Sequence, residues 1–495
     1  MNENKKNIII VGAGPAGLTA GYLLSQHGYK VKIFESSTKY VGGISRTEEY
    51  KGFRFDIGGH RFFSKSKEIN NLWSEILPIN FQTRKRKSRI YFKNKFFNYP
   101  LDLIEVVFKL GFLESLICLL SFIKAKLFPI NKPKSYHDWI YNNFGERLYI
   151  NFFKSYTEKV WGISCDDISA DWAAQRIKGL NIKEIILKSI LKPFKNKKVI
   201  KTLIDEFKYP DLGPGMMWEA AKNKIEKNGS KIYLDHKVIK YNFEINKNQW
   251  QITTSSQNEL NIFTADIIIN SSAMRDVVQS IEPQMKNFSE ANKLKYRDYI
   301  TVAVMMKKEK MFSDNWIYIH DPNIIAGRMQ NYTAWSEKMS PDQNKSCLGL
   351  EYFCNKDDNF WSQSDEKIVD VAKSDLKKLN LVNTYDIIDF HVVRQEKAYP
   401  VYDDNYKSVV EKISAELKEN YKNFYMVGRN GMHKYNNQDH SMMTSILTVE
   451  NILNDSNYDT WKVNEDAEYH ENIKDSNERK ITLNSLRSVP LKKRD

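Results

Sequence analysis

Hydrophobic and polar positions change period several times along the chain, and each change marks an element. Ile8–Val11 is wholly apolar, the pattern of a strand covered on both faces. Gly17–His27 follows a helical period, with Gly28 placed to close it. Val31–Glu35 returns to strand character, so residues 7–35 predict a β-α-β unit. Between residues 61 and 205 the pattern is mostly helical, rich in Leu, Ile, Lys and Phe. Alternating or short apolar runs then predict strands at Lys231–Leu234, Val238–Phe243, Trp250–Thr254 and Ile267–Ile269, and again over 297–306 and 348–354. Phe424–Val427 reads as a last strand, followed by a glycine-containing turn and the helix Ser441–Leu453. From Ser456 onward the residues are polar and charged without an apolar period, and a disordered or loosely packed tail is expected.

The most hydrophobic stretch is Leu101–Ile123, which contains Asp102, Glu105, Lys109 and Glu114. Its longest uncharged run, Ser115–Ile123, is too short to cross a bilayer. The stretch is read as a buried helix, an interfacial helix being the alternative. No secretory signal is expected, because the N-terminus is charged and its apolar run leads straight into glycines.

Composition narrows the picture. A chain of 495 residues is too long for one simple core, and 41% hydrophobic residues support folded domains. The four cysteines Cys118, Cys165, Cys347 and Cys354 are scattered, so neither a disulfide scaffold nor a metal site is expected and a reducing cytoplasm fits. Net charge is +14, and part of the excess is local. Arg84, Lys85, Arg86, Lys87, Arg89, Lys93 and Lys95 have no acid between them, and Lys192, Lys195, Lys197, Lys198 and Lys201 form a second cluster. Such clusters are either solvated surface or attract an anionic partner: nucleotide phosphates, an acidic glycan or the inner face of an anionic membrane, which leaves peripheral membrane contact open. No nucleic acid is expected, because no recognition motif accompanies the charge.

The chemistry begins at Gly12-Ala13-Gly14-Pro15-Ala16-Gly17, a GxGxxG directly after a strand and opening a helix. Gly12 permits the tight turn, Gly14 lets backbone approach a pyrophosphate, and Gly17 lets helix and strand pack closely. The helix N-terminus offers free N–H groups and partial positive charge to phosphates. Glu35 ends the second strand, where a carboxylate binds an adenosine ribose hydroxyl. This fingerprint by itself does not separate NAD from FAD.

The residues that follow do. Gly42-Gly43-Ile44-Ser45-Arg46-Thr47, Leu212-Gly213-Pro214-Gly215-Met216-Met217, His236-Lys237-Val238 and Val427-Gly428-Arg429 resemble, in order, segments of the flavoprotein group containing amine oxidases, phytoene desaturases and UDP-galactopyranose mutases. Within that group, Gly58-Gly59-His60, Phe97–Leu101, Tyr156-Thr157-Glu158-Lys159-Val160-Trp161-Gly162, Arg176, Arg328 before Glu351-Tyr352, and Gly428–Asp439 resemble the mutases. The resemblance implies non-covalent FAD, bordered by Gly43 and Arg46 with His60 against its isoalloxazine, its adenine held by the Val238 backbone, and Gly428, Arg429, Asn437 and Asp439 returning to it. It implies that Tyr156 stacks on uracil, that Trp161 lines the sugar pocket, and that Arg176, Arg328 and Tyr435 take the diphosphate. Two guanidiniums and a phenol also suit a diphosphate on their own chemistry. The continuation after Arg176 and the Asn437 position depart from the mutase pattern.

The expected architecture is α/β: a Rossmann-type FAD-binding domain made of residues 1–60, 211–275 and 395–455, an inserted, mainly helical region 61–210, a mixed β-sheet substrate domain 276–394, and a polar tail 456–495. The implied activity is isomerisation of a nucleotide sugar through flavin N5 without net redox, in cell-surface polysaccharide synthesis, with His60, Arg176, Arg328 and Tyr435 at the reacting centre. The alternative is a flavin oxidoreductase acting on a sugar- or lipid-linked substrate. The FAD reading has a direct check. Denatured protein is expected to release FAD rather than FMN, read by chromatography. A bulky residue at Gly14 is expected to abolish flavin content, because its side chain would occupy the pyrophosphate position; a Gly14→Leu protein with full flavin loading overturns the assignment.

Overall fold

The computed structural model describes residues 5–99, 101, 103–170, 172–173, 206–307 and 311–464. Ile8–Val11 lies at the centre of a five-stranded parallel sheet. Ile267–Asn270 and Lys32–Phe34 flank it, with Phe424–Met426 and Lys231–Tyr233 at the edges. The central place explains the wholly apolar run, since all of Ile8–Val11 is buried. The helix that follows, Pro15–Gln26, starts two residues earlier than expected, because proline's fixed φ suits the first helical position. Gly28 ends it with φ +75°, its N–H donating to Ser25 O at 3.0 Å. The last helix, Gln438–Asn454, likewise starts earlier than expected, with Asn437 at its N-cap. A four-stranded sheet of Lys237–Glu244, Gln249–Ser256, Glu259–Ala265 and Ile281–Glu282 packs beside this body.

A seven-stranded sheet carries the rest of the fold. Its order is Ile387–Pro400, Tyr296–Lys307, Lys345–Cys354, Arg328–Asn331, Trp316–Ile319, Ser88–Phe92 and Lys95–Asn98. Beside its helices, the region 61–210 holds strands that its apolar pattern does not announce, at Phe81–Lys85, Ser88–Phe92, Lys95–Asn98 and Glu206–Pro210. Lys93 and Asn94 take φ of 49° and 59°, closing a two-residue hairpin that lets Ser88–Phe92 pair in parallel with Trp316–Ile319. The boundary expected between 394 and 395 also falls inside a strand. Ile387–Pro400 pairs with Tyr296–Lys307 from Met306↔Ile387 to Tyr296↔Pro400, and most of its side chains are half-buried, which removes any clean alternation.

Part of the first basic cluster is structural. Arg84 donates to Trp335 O at 2.8 Å, Arg86 lies over the Tyr99 and Trp316 rings, and Arg89 pairs with the buried Asp314. The second cluster, Lys192–Lys201, lies outside the described residues. The four cysteines are free and buried. Leu101–Ile123 resolves into two helices, Leu103–Leu110 and Phe112–Leu127, broken at Gly111 with φ +90°. The buried reading of this stretch is corrected: Phe108, Phe112, Leu113, Leu119 and Leu120 are exposed. Among the described residues no helix is long and apolar enough to cross a membrane.

The chain from Ser456 to Asn464 also departs from expectation, because it docks on the body. Tyr458 and Val463 pack into the core beneath the last helix, and Trp461 packs on the cluster around Phe424. Lys434 Nζ donates to Trp461 O at 2.6 Å, and Asn464 Nδ2 donates to Tyr435 O at 3.1 Å. Isolated apolar residues without a period are enough to dock a segment when the body offers a hollow for each. Removing residues 461–495 is therefore expected to lower unfolding free energy in urea by roughly 2 kcal/mol or more, the scale of one buried aliphatic side chain plus part of an indole. A chain truncated after Asn464 is the comparison; equal stability of the two truncated chains would show that Trp461 and Val463 contribute nothing.

Candidate functional site

The glycine fingerprint sits where the central strand meets its helix. Gly12 has φ +92°, and a side chain there would strike Ser271 Oγ. A Cβ on Gly17 would lie 1.9 Å from Gly12 O, so helix and turn touch through the missing side chain. Gly14 is different: the nearest atom to a Cβ there is Gly43 Cα at 3.9 Å. The second glycine pair faces the first, with Gly42 N–H donating to Ala13 O at 2.7 Å. Gly428, φ +80°, approaches the same helix turn, where its Cβ would come within 3.0 Å of Ala16 Cβ. Three distant segments thus form a cradle over the helix N-terminus, open at Gly14 and without acid in the first turn. This cradle fits a diphosphate-bearing nucleotide.

Glu35 lies at one end of the cradle. One carboxylate oxygen accepts from Ala13 N at 2.8 Å and the other from Ser37 N at 2.9 Å. His236 N–H donates to Glu35 O, and two residues on Val238 opens the next strand at a bulge. Glu35 and Val238 therefore share this end. At the opposite end, Arg46 is tied to Glu48 at 2.7 Å, to Gly43 O at 3.1 Å and to Gln395 Oε1 at 2.6 Å. Asn437 caps the last helix, its N–H 3.2 Å from His440 Nδ1, and the buried Asp439 stands in that helix's first turn.

His60 follows two glycines that its turn requires. Gly58 has φ +93°, and a Cβ on Gly59 would press on Gln330 Nε2 and Trp335. His60 Nε2 lies 2.9 Å from Ile57 O and Nδ1 lies 3.4 Å from Ser45 Oγ. A carbonyl only accepts, so Nε2 carries the proton. Loss of hydration, then the Arg429 and Arg328 cations, push the His60 pKa down to about 4, which keeps the ring neutral.

Around it stands a cage of cations and aromatic rings. Arg328 donates through Nε to Glu351 Oε2 at 2.6 Å and through Nη2 to Tyr399 OH at 3.3 Å. Burial opposes the charge on Arg328, but the Glu351 carboxylate outweighs it and raises its pKa. Tyr399 and Tyr435 stack with centroids 5.5 Å apart and planes 9° apart, and Trp161 lies 6.1 Å from Tyr435. The Arg429 guanidinium lies over both tyrosines, at 5.4 and 5.1 Å. Tyr156 stacks on His320 at 4.6 Å; burial lifts its phenol pKa against the pull of Arg328. Tyr156, Trp161, Arg328, Arg429, Tyr435 and His60 are thus brought together. Arg176 lies outside the described residues.

Sequence reasoning missed Tyr399, His320 and Arg297. Arg297 is buried and donates to Val160 O, Lys159 O and Phe353 O, closing the C-terminus of the helix Ser155–Trp161 and fixing Trp161. Gly162 yields the space, since its Cβ would overlap the Arg297 guanidinium. Tyr399 had a weak signal, a Tyr-Pro at a strand end; nothing marked Arg297 or His320.

Residues 10–76 match the NAD(P)-binding Rossmann-like domain family. The crystal structure of reduced UDP-galactopyranose mutase superposes with TM-score 0.82 over 95% of this chain and 100% of that one, at 20% identity. The chain has the mutase fold. In sequence it is similar to 4,4'-diapophytoene desaturase (4,4'-diapolycopene-forming) of Methylomonas sp, 56% identical over 55 residues, 11% of each chain. It is also similar to L-amino-acid oxidase of Crotalus adamanteus, 24% identical over 293 residues, 54% of this chain and 51% of that one. A probable UDP-galactopyranose mutase of Klebsiella pneumoniae is 25% identical over 175 residues, 34% of this chain and 44% of that one. The aligned stretches thus span about half or less of these relatives. The relatives that share these stretches are a desaturase, an oxidase and a probable mutase, and the solved structure shares the fold.

One buried acid beneath the His60 turn gives a pH signature. Asp56 accepts from Tyr209 OH and, at 3.0 Å, from Thr47 Oγ1. Burial outweighs these hydrogen bonds and pushes its pKa up to about 7. An acid whose folded pKa exceeds its unfolded value holds its proton more tightly when folded. Its contribution to stability is full below the unfolded value and is lost as pH rises through about 7. His60, His320 and His433 are depressed by burial and act in the opposite sense over part of this window, so the observable is a difference. Asp56→Asn is expected to gain on the wild type by up to about 1.4 kcal/mol per pH unit between pH ~4 and ~7. Parallel urea curves across pH for the two proteins check it; a constant difference would place the Asp56 pKa outside the window.

Proposed function

We propose that the protein holds FAD non-covalently and acts on a nucleotide sugar as the UDP-galactopyranose mutases do. The observation that carries this reading is Arg328, locked by a fully buried carboxylate between Tyr156 and the Tyr399–Tyr435 stack, beside a neutral His60. In this reading Gly12, Gly14 and Gly17 receive the FAD diphosphate, Glu35 the adenosine ribose and the Val238 backbone the adenine. Gly43, Arg46, His60, Gly428, Arg429, Asn437 and Asp439 border the flavin end. A bound flavin supplies a ring that cycles between oxidised and reduced forms and is a nucleophile when reduced.

The chain's own residues supply the rest. Tyr156 offers a flat face to a nucleobase, and Trp161 closes the sugar side. The fork of Arg328 has Nε and Nη2 engaged by Glu351, so its Nη1 edge meets a phosphate; Tyr435, with Arg176, completes the diphosphate clamp. Stabilising a departing diphosphate with fixed cations needs no reorganisation during the reaction. His60, neutral and with its proton on Nε2, presents Nδ1 as an acceptor rather than a charge. The second reading, an oxidoreductase, draws on the L-amino-acid oxidase relative. Anaerobic assay separates them: conversion of a UDP-sugar by the pre-reduced protein without reoxidation favours the mutase, and bleaching of the oxidised flavin by substrate favours the oxidoreductase.

The clamp is tested at Arg328. Alanine there would strand Glu351, an uncompensated buried charge costing about 3–5 kcal/mol, and would confuse folding with binding. Arg328→Lys keeps the charge but lacks the planar fork. It is expected to retain flavin and to weaken UDP binding by about tenfold or more, the worth of one charge-assisted hydrogen bond. Titration of UDP followed by flavin absorbance or calorimetry checks it. Wild-type protein indifferent to UDP and to other nucleoside diphosphates would sink the nucleotide-sugar reading.

A further inference from the structure

The helix Phe112–Leu127 is patterned in reverse. The residues it turns toward the protein include Glu114, Ser115, Cys118 and Ser121. Glu114 is gripped there: Arg147 pairs with both its oxygens, at 2.6 and 2.9 Å, and Asn151 donates to it at 2.8 Å. Ser121 Oγ accepts from Arg147 N at 3.0 Å. The outward side is apolar and continues onto the preceding helix and the following turn. Phe108 and Phe112 are each 82% exposed, Leu113 72%, Phe128 70%, Leu127 68% and Leu120 57%. Single exposed apolar residues are ordinary, but a continuous face of this kind marks a surface that something covers.

The charge around the face says what covers it. The outward side of Phe112–Leu127 carries no acid; its charged residues are Lys124 and Lys126. Exposed lysines continue at both ends, Lys93 and Lys95 beside the preceding helix and Lys132 and Lys134 beyond the turn. A second copy meeting this face about a two-fold axis would bring the acid-free outward side of Phe112–Leu127 against itself, so its lysines would go unanswered. An anionic lipid surface answers both features, taking the Phe and Leu side chains below the headgroups and the lysines among them. We infer that the helices Leu103–Leu110 and Phe112–Leu127 form a monotopic attachment that lies in the interface of an anionic membrane. The helix also abuts the proposed substrate site: Phe122, on its inner side, belongs to the same apolar cluster as Tyr149, Trp161, Tyr399 and Tyr435. The attachment itself is independent of the nucleotide-sugar reading.

Flotation of the full flavin-loaded chain with vesicles tests it, using phosphatidylcholine and, separately, an equimolar mixture of phosphatidylcholine and phosphatidylglycerol. The protein is expected to float with the anionic vesicles and to be released by salt. Leu113→Gln/Leu120→Gln, whose side chains point outward, is expected to keep its flavin and circular dichroism and to lose flotation. Lys124→Glu/Lys132→Glu is expected to weaken it by about tenfold or more. A Leu120→Trp protein is expected to show a blue-shifted emission with anionic vesicles, which reads insertion at this face without disturbing it. Flotation unaffected by the Leu113→Gln/Leu120→Gln change, or equal on phosphatidylcholine, overturns the inference. So does a protein that floats with neither vesicle; if it is then a dimer in sedimentation and the same double variant is a monomer, the face belongs to a second copy.

Discussion

A carboxylate with no exposed surface must be answered inside the protein, and the site is arranged around the answer to Glu351. Glu351 is 0% exposed. The neighbouring strand places Arg328 directly opposite it, and Gln330, two residues on along the same face, donates to its other oxygen at 2.9 Å. Sheet register therefore sets the guanidinium, where a loop would leave it free to wander. The consequences run in two directions. Arg328 reaches Tyr399, which stacks on Tyr435, so the cation and the aromatic cage are fixed together. Gln330, held by the carboxylate, leaves Gly59 only 3.2 Å for a Cβ, and this shapes the turn that presents His60. One buried charge thus positions residues from sequence positions 59 to 435.

The same dryness sorts the ionisable groups. Burial keeps His60 and His320 neutral and raises the phenols of Tyr156 and Tyr299. Arg328 is balanced by Glu351 and Arg46 by Glu48. Arg429 differs: its bonds go to the Asn436 and Ala398 carbonyls, and its flat faces meet two tyrosine rings. Carbonyls and rings orient a cation without cancelling it. In a low-dielectric cage, a cation held in this way attracts an anion strongly. This chemistry suits the flavin or the substrate diphosphate equally, and it follows from the fold without reference to any relative.

How much of this was legible in the sequence depends on range. The nucleotide cradle was readable because its rules are local: Gly12 and Gly17 are demanded by a turn and a helix packing within six residues of each other. The parallel strands were readable because central strands are wholly apolar. The hairpin at Lys93-Asn94 was hidden by the basic cluster around it, whose arginines proved to be packing partners of Trp335, Tyr99 and Asp314. Tyr399 was only faintly marked, because its value lies in stacking on a residue thirty-six positions away, and its strand, half-buried along most of its length, shows no alternation. Arg297 illustrates the same limit: it acts on backbone carbonyls of a distant helix, and such a role leaves no trace in residue spacing.

The outer helix Phe112–Leu127 shows why hydrophobic content alone misleads. A buried helix and an interfacial one have the same composition; what separates them is which way the few polar residues point. In a buried helix Glu114 would have to find a partner among apolar neighbours or turn outward. Here it turns inward, because Arg147 and Asn151 await it, and Arg147 holds its carboxyl down to about 2. Cys118 and Ala125 continue that inner line, one helical turn and then two apart, and leave the leucines and phenylalanines on the other side. Rotating the helix to bury them would break the Glu114–Arg147 pair and expose nothing better. The ion pair thus acts as a key that fixes the helix's rotation, and the exposed apolar face is its direct consequence.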